Sequence, residues 1–132
     1  MFRADSRSLE EGERPVVPDR SLLQVFGYQR EVETSELQWT GGIYGEAMGG
    51  WKYPLSKEEE HAKARAAVQD HKVWNRITIY AKGDYLLTWI NGVPCANLTN
   101  QERSKGFFGL QVHQGKKGQI RWRNIRVKVL SE

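Results

Sequence analysis

The segment from Lys105 to His113 reads KGFFGLQVH and alternates between apolar and other side chains. Because successive side chains of a strand leave opposite faces of the sheet, this alternation predicts a half-buried strand. The apolar set requires a core, whereas a small glycine beside an amide and an imidazole suits the floor of a binding groove. The apolar set is Phe108, Leu110 and Val112, and the other set is Gly109, Gln111 and His113.

Size and composition indicate one soluble globular domain. The chain has 132 residues, of which 39% are hydrophobic and 27% are charged. No apolar run approaches the roughly 18–20 residues that cross a bilayer, and no apolar stretch typical of a signal peptide follows Met1. The single cysteine, Cys95, excludes an internal disulfide and a multi-cysteine zinc site, but does not identify the compartment.

The net charge of +4 raises the question of nucleic-acid binding. The basic residues are spread along the chain, and those near the C-terminus mostly lie between apolar residues. A solvated sheet face explains this pattern more simply than phosphate binding does, so we expect no nucleic-acid partner. The five Trp and five Tyr are more informative, since aromatic side chains beside Gly and Asn are typical of a surface that stacks on sugars.

Short alternating segments separated by closely spaced turns predict an antiparallel, all-β fold. The strongest turn signal is Asn91-Gly92, which favours a type I′ hairpin turn between strands at Tyr85–Ile90 and Val93–Leu98. Further strands are predicted at Ser21–Val32 with an irregularity at Gly27, within Trp39–Glu46, at Trp74–Ala81 and at Gln119–Leu130. Residues Ala47–Tyr53 are predicted to form a glycine-rich loop.

One short surface helix is predicted around residues 57–69. Ser56 and Glu59 match a capping box, in which each side chain satisfies a free amide at a helix start. The segment that follows has almost no apolar face, which is typical of a helix outside the core. His61 and His71 flank this helix and are predicted to be exposed.

Several motifs occur in a fixed order along nearly the whole chain. They are GYQREVE at 27–33, WTGGIY at 39–44, WNR at 74–76, WINGV at 89–93, GFFGLQVH at 106–113 and RWRNIR at 121–126. In this order the sequence resembles the 3-keto-disaccharide hydrolase family, formerly a domain of unknown function. The resemblance implies a concanavalin-like jelly-roll sandwich that breaks down glycosides in bacteria, often in the periplasm or outside the cell.

The resemblance also implies that further strands precede this sequence. In the family, an upstream strand ends in residues similar to Phe2-Arg3-Ala4. Residues 1–132 are therefore expected to form one sandwich domain that lacks its first strands. Such a sandwich exposes unpaired edges, so we expect the chain to self-associate through them.

Glu31 and His113 are the best candidates for acid–base catalysis. Glycoside cleavage generally needs a proton donor and a base, and a 3-keto sugar also has an acidified C2 proton that a base could remove. Elimination followed by hydration is thus an alternative to direct displacement. Each residue alone also fits a solvated position on a sheet. We predict no cofactor, although a divalent metal shared by Glu31 and His113 is another interpretation.

Aromatic and amide side chains are the candidate sugar-binding residues. An aromatic ring can cover the apolar face of a pyranose, while amides can form paired hydrogen bonds with its hydroxyl groups. A non-catalytic carbohydrate-binding module of the same fold is the alternative function, and an inactive fragment that only self-associates is a third. The predicted substrate-binding residues are Arg3, Gln29, Tyr44, Trp51, Tyr53, Trp89, Asn91 and Gln111.

Overall fold

The computed structural model describes residues 1–8, 23–33, 38–55, 59–70, 72–112 and 119–131. Within these ranges two antiparallel sheets and one short helical stretch are found, which confirms the predicted all-β sandwich. The first sheet has the order β1 (Phe2–Ser8), β2 (Leu23–Arg30), β3 (Ile43–Glu46) and β4 (Gly50–Tyr53). The second has the order β5 (Ile77–Lys82), β6 (Tyr85–Ile90) and β7 (Val93–Thr99).

The helical stretch lies between the two sheets in the sequence. It consists of a 3₁₀ turn at Glu59–His61 and helix α1 at Ala62–Ala66, within the range predicted to be helical. Neither this stretch nor any other helix in the described ranges has the length and apolar character that a membrane crossing requires.

The core lies between the two sheets. One cluster joins Phe2, Tyr28 and Ile43 of the first sheet to Leu86 and Ala96 of the second. A second cluster contains Leu55, Ala64, Ile90 and Cys95. Since both sheets contribute buried side chains to these clusters, the opposite sides of the sheets face outward.

Thr88 connects the two sheets through its buried hydroxyl group. The hydroxyl donates to the carbonyl of Gly41 at 2.5 Å and accepts from the N–H of Ala96 at 3.0 Å.

Thr88→Val keeps the shape of the side chain but removes both bonds. We expect it to lower the free energy of unfolding by about 1–2 kcal/mol, because buried polar groups then lose their partner. Urea denaturation measures this change. Thr88→Ser keeps both bonds and is the control, and a Val variant as stable as the wild type would contradict the prediction.

Two local backbone predictions are confirmed. Asn91 and Gly92 have φ angles of 51° and 87°, both in the left-handed region that a type I′ turn requires. Gly27 is the irregular position of β2, with φ at 147° opposite a register shift in β1. A Cβ atom at Gly27 would lie 2.6 Å from the Cα of Ala4, so the two strands approach too closely for a side chain there.

Other predictions from the alternation are wrong. Residues 47–53 are not only a loop, because β4 occupies their second half. The strand predicted at Lys105–His113 is reduced, in its described part, to an isolated bridge between Ala4 and Phe107. The strand predicted at Gln119–Leu130 is absent, and residues 119–131 make no backbone hydrogen bond to other described residues. Alternation shows that an extended chain would have two different faces, but a strand also needs a neighbour to pair with.

Candidate functional site

The outward side of the first sheet carries the centre of the candidate site. Tyr28 and Arg30 of β2 are buried, while Gln29 and Glu31 are half-buried on the opposite side. Glu31 continues the strand pairing one residue beyond β2. Its N–H donates to the carbonyl of Gly42 at 3.0 Å, and its own carbonyl accepts from the N–H of Gly41 at 3.1 Å. The Glu31 carboxylate therefore projects from an ordered backbone.

A row of side chains crosses the sheet at Gln29. Gln29 pairs with Tyr44, which in turn pairs with Trp51. On the other side of Gln29, the pairing of Phe2 with Tyr28 places Met1 alongside it. Since neighbouring strands are about 4.8 Å apart, the sheet brings three predicted residues, Gln29, Tyr44 and Trp51, together on one face.

Aromatic rings form a wall at one end of this row. The rings of Tyr44 and Trp51 meet edge to face, with centroids 5.4 Å apart. Trp39 contacts Trp51 in the same manner at 5.3 Å. Such contacts fix the ring orientations, and half-buried aromatic rings of this kind can cover an apolar face of a ligand.

The amide of Gln29 orients the Glu31 carboxylate. Gln29 Nε2 donates to Glu31 Oε2 at 2.8 Å. The Oε1 atoms of Gln29 and Gln111 are buried and have no hydrogen-bond partner among the described residues. Buried amide oxygens are normally paired with protein, water or ligand donors. Each of these two atoms therefore needs a donor that the described residues do not supply.

A cavity of about 350 Å³ adjoins the row. Its lining residues are Met1, Val25, Glu46, Leu110, Gln111 and Val112. The segment that carries Gln111 is held against β1, because the amino group of Met1 donates to the Gly109 carbonyl at 2.7 Å and the Gly109 N–H donates to the Met1 carbonyl at 3.1 Å. Burial lowers the pKa of the Met1 amino group, and the nearby Glu31 carboxylate opposes part of that shift. Met1 therefore lies close both to Glu31 and to the segment that carries Gln111.

Glu46 and Val25 are site residues that sequence reasoning missed. Glu46 pairs with Gly27 and lines the cavity together with Val25. The signal was present, because Glu46 follows Tyr44 by two residues and so lies on the same face of the strand. Val25 precedes Gln29 by four residues and shares its face for the same reason.

Tyr53 lies on the core side of the first sheet. A register shift between Ile43 and Tyr44 pairs Ile43 with Tyr53, so Tyr53 faces inward although Trp51 faces outward. Its hydroxyl lies 3.4 Å from His61 Nε2, and the two rings meet edge to face at 5.7 Å. His61 is consequently buried, and the prediction that it is exposed is wrong. His71 lies outside the described residues.

Three more predicted binding residues lie away from the row. Trp89 is in the second sheet, where it pairs with Thr78 and Pro94. Asn91 is used within the fold: its amide donates to Ala67 and Asn75 at 2.8 Å each. Arg3 is buried, and its guanidinium donates to the Arg103 carbonyl at 2.9 Å. The structure therefore does not bring these three together with Gln29 and Glu31.

The pairing of Glu31 with His113 stays a prediction, because His113 lies outside the described residues. In the part of the chain that is described, no group of three or more His, Cys, Asp or Glu could hold a metal ion.

A family model described as a 3-keto-alpha-glucoside-1,2-lyase-like domain matches residues 2–128. The chain belongs to this family. The resemblance seen in the sequence motifs is thus confirmed, and the family indicates a carbohydrate-active function. A search among curated proteins returned no match.

The matched range of this lyase-like domain includes every strand and the whole lining of the cavity except Met1. The outward face combines an oriented carboxylate, two unpartnered amide oxygens and an aromatic wall. An aromatic wall and a carboxylate on one face are the kinds of groups that contact the apolar face and the hydroxyl groups of a polyol.

Proposed function

We propose that this lyase-like domain cleaves 3-keto-α-glucosides by elimination, with Glu31 as the base. Glu31 takes the proton from C2, whose acidity is raised by the ketone at C3. The electron pair is first held as an enolate on the C3 ketone oxygen; the C1–C2 double bond then forms as the C1–oxygen bond breaks, and the departing oxygen takes up a proton. His113 is the predicted donor of that proton. The products are an unsaturated keto sugar and the free alcohol.

The observation that carries this proposal is the position of the Glu31 carboxylate. It accepts a hydrogen bond from Gln29, whose strand partner is Tyr44. A sugar covering the Tyr44–Trp51 wall would therefore lie beside the base. Rotation of the Gln29 and Gln111 side chains would turn their buried, unpartnered oxygens toward its hydroxyl groups.

Elimination needs a single base, whereas hydrolysis by a carboxylate pair needs a second carboxyl group beside Glu31. Such hydrolysis uses two carboxyl groups about 5–9.5 Å apart on either side of the bond. Glu46 pairs with Gly27, which is four residues before Glu31 and thus about 13 Å from it along the strand. Glu33 is nearer, but its carboxylate accepts from the Trp39 N–H at 3.4 Å. Removal of an acidified proton needs only one base.

Hydrogen exchange at C2 tests this mechanism. With a 3-keto-α-glucoside in D₂O, we expect enzyme-dependent deuterium at C2 of the recovered substrate, together with an enone product detected by its ultraviolet absorbance. A protein-free sample measures the spontaneous exchange. Release of the alcohol without exchange or enone would indicate hydrolysis and contradict elimination. Binding without exchange or release would instead support the carbohydrate-binding module.

A further inference from the structure

The cavity beside the row has walls of a different character from the row itself. Val25, Leu110 and Val112 are 40%, 57% and 69% exposed. All three line the cavity, and Met1 adds a fourth apolar side chain. Among the residues that the structure describes, none of its lining side chains is aromatic. This surface therefore has the open apolar walls that a ligand ring would cover, but not the stacking platform typical of a second sugar site.

Glu46 offers the cavity a hydrogen-bond acceptor, and Gln111 is its other polar side chain among the described residues. The Glu46 carboxylate lies at one wall, and the Oε1 atom of Gln111 is buried without a partner in the described part of the chain. The amino group of Met1 is already used, because it donates to the Gly109 carbonyl. A group that fills the cavity should therefore be largely apolar and should carry a hydrogen-bond donor.

Met1 connects the cavity to the sugar-binding row, since it lines the cavity and also lies alongside Gln29. A substituent on a sugar held at Gln29 would thus extend over Met1 toward Val25. A second pyranose there would turn several hydroxyl groups toward apolar walls, which leaves them without partners. A hydroxylated aromatic ring would cover the walls and give its proton to an acceptor.

We propose that this cavity binds the leaving group and that it selects hydroxyaryl leaving groups over sugars. The inference rests on the proposed function for the position of the sugar at Gln29. It narrows the substrate class from 3-keto-α-glucosides in general to those of phenols that carry a second hydroxyl group. The volume of about 350 Å³ is at the lower end of the range for small-molecule sites, which suits one ring.

Binding measured by methyl NMR tests the proposal without requiring turnover. The probe is 4-hydroxyphenyl α-D-glucoside, and methyl α-D-glucoside is the reference ligand. With the aryl glucoside, we expect the methyl signals of Val25, Leu110 and Val112 to shift, while those of Val73, an equally exposed valine outside the cavity, stay in place. Methyl α-D-glucoside should leave the three cavity signals unchanged.

A matched pair of substitutions tests the same point by affinity. Val25→Thr should weaken binding of the aryl glucoside about three- to tenfold, because a polar atom replaces an apolar one against the ring. Binding of methyl α-D-glucoside should change less than twofold. Val73→Thr, the control, should alter neither affinity.

Either of two results would overturn the proposal. One is equal affinity for both glucosides, and the other is that the aryl ring leaves all three cavity methyl signals unmoved. Both outcomes are independent of catalysis. A protein that binds the aryl ring in the cavity but shows no C2 exchange would contradict the elimination mechanism and leave the leaving-group site supported.

Discussion

Glu31→Gln is expected to reduce kcat/KM for a 3-keto-α-glucoside by about 10²–10⁴-fold, the range typical for loss of a general base. The amide has nearly the same shape as the carboxylate and can still accept the hydrogen bond that Gln29 Nε2 makes to Glu31 Oε2. It cannot remove the C2 proton. We therefore expect kcat to fall and KM to change little. The rate of enone formation at several substrate concentrations measures both parameters.

Glu59→Gln is the matched control for this substitution. Glu59 is exposed in the 3₁₀ turn, away from the first sheet, and its replacement should leave kcat/KM unchanged. Urea denaturation should show that both variants are as stable as the wild type. If Glu31→Gln kept its activity within threefold of the wild type, Glu31 would not be the base.

Local signals in the sequence predicted the parts of the fold that depend on neighbouring residues. The strand predicted at Ser21–Val32 is found as β2, and its irregularity lies at Gly27 as expected. Asn91-Gly92 located a hairpin turn because few other dipeptides favour two successive positive φ angles. These features are decided within a few residues, so a single sequence contains enough information for them.

Pairing between distant segments could not be predicted in the same way. Trp51 and Tyr53 are two residues apart and should share a face, yet a register shift opposite Ile43 and Tyr44 turns Tyr53 into the core. The shift depends on how two strands align, and no residue pattern within β4 shows it. Residues 119–131 alternate well but have no pairing partner in the described structure.

The same distinction applies to the candidate site. Gln29, Tyr44 and Trp51 were predicted and do share a row, because each lies on the outward face of its own strand. The cavity was missed, since it forms where Val25 and Glu46 meet the segment at 110–112, far along the chain. A cavity between such segments follows from tertiary packing alone.

Arg30 is a buried cation with incomplete pairing. It is 5% exposed, and its Nη1 donates to the Glu31 carbonyl at 3.0 Å. Its Nε and Nη2 atoms have no partner among the described residues. The structure thus supplies one hydrogen bond from the described residues where the guanidinium can donate five.

Arg30 binds its proton more weakly in the folded protein than in the unfolded chain. Burial lowers the pKa of Arg30 to about 10, and nearby Cys95 and Glu31 oppose only part of this shift. The pKa in the unfolded chain is higher, so the unfolded chain binds this proton more tightly. Arg30 therefore destabilises the fold fully below about pH 10, and its unfavourable contribution falls as the pH rises through that value.

Arg30→Met is accordingly expected to raise the free energy of unfolding at pH 7 by about 1–4 kcal/mol, the range observed when apolar residues replace buried ions. Met has a similar reach and no charge to desolvate. The Glu31 carbonyl would keep a partner, because it also accepts from the Gly41 N–H at 3.1 Å. Urea denaturation measures the free energy of unfolding. We expect no increase in Arg30→Lys, because the lysine keeps a buried charge. We also expect none in Arg126→Met, because Arg126 is exposed. A loss of stability in Arg30→Met would show that the guanidinium is fully paired in solution and that its burial is not a source of instability.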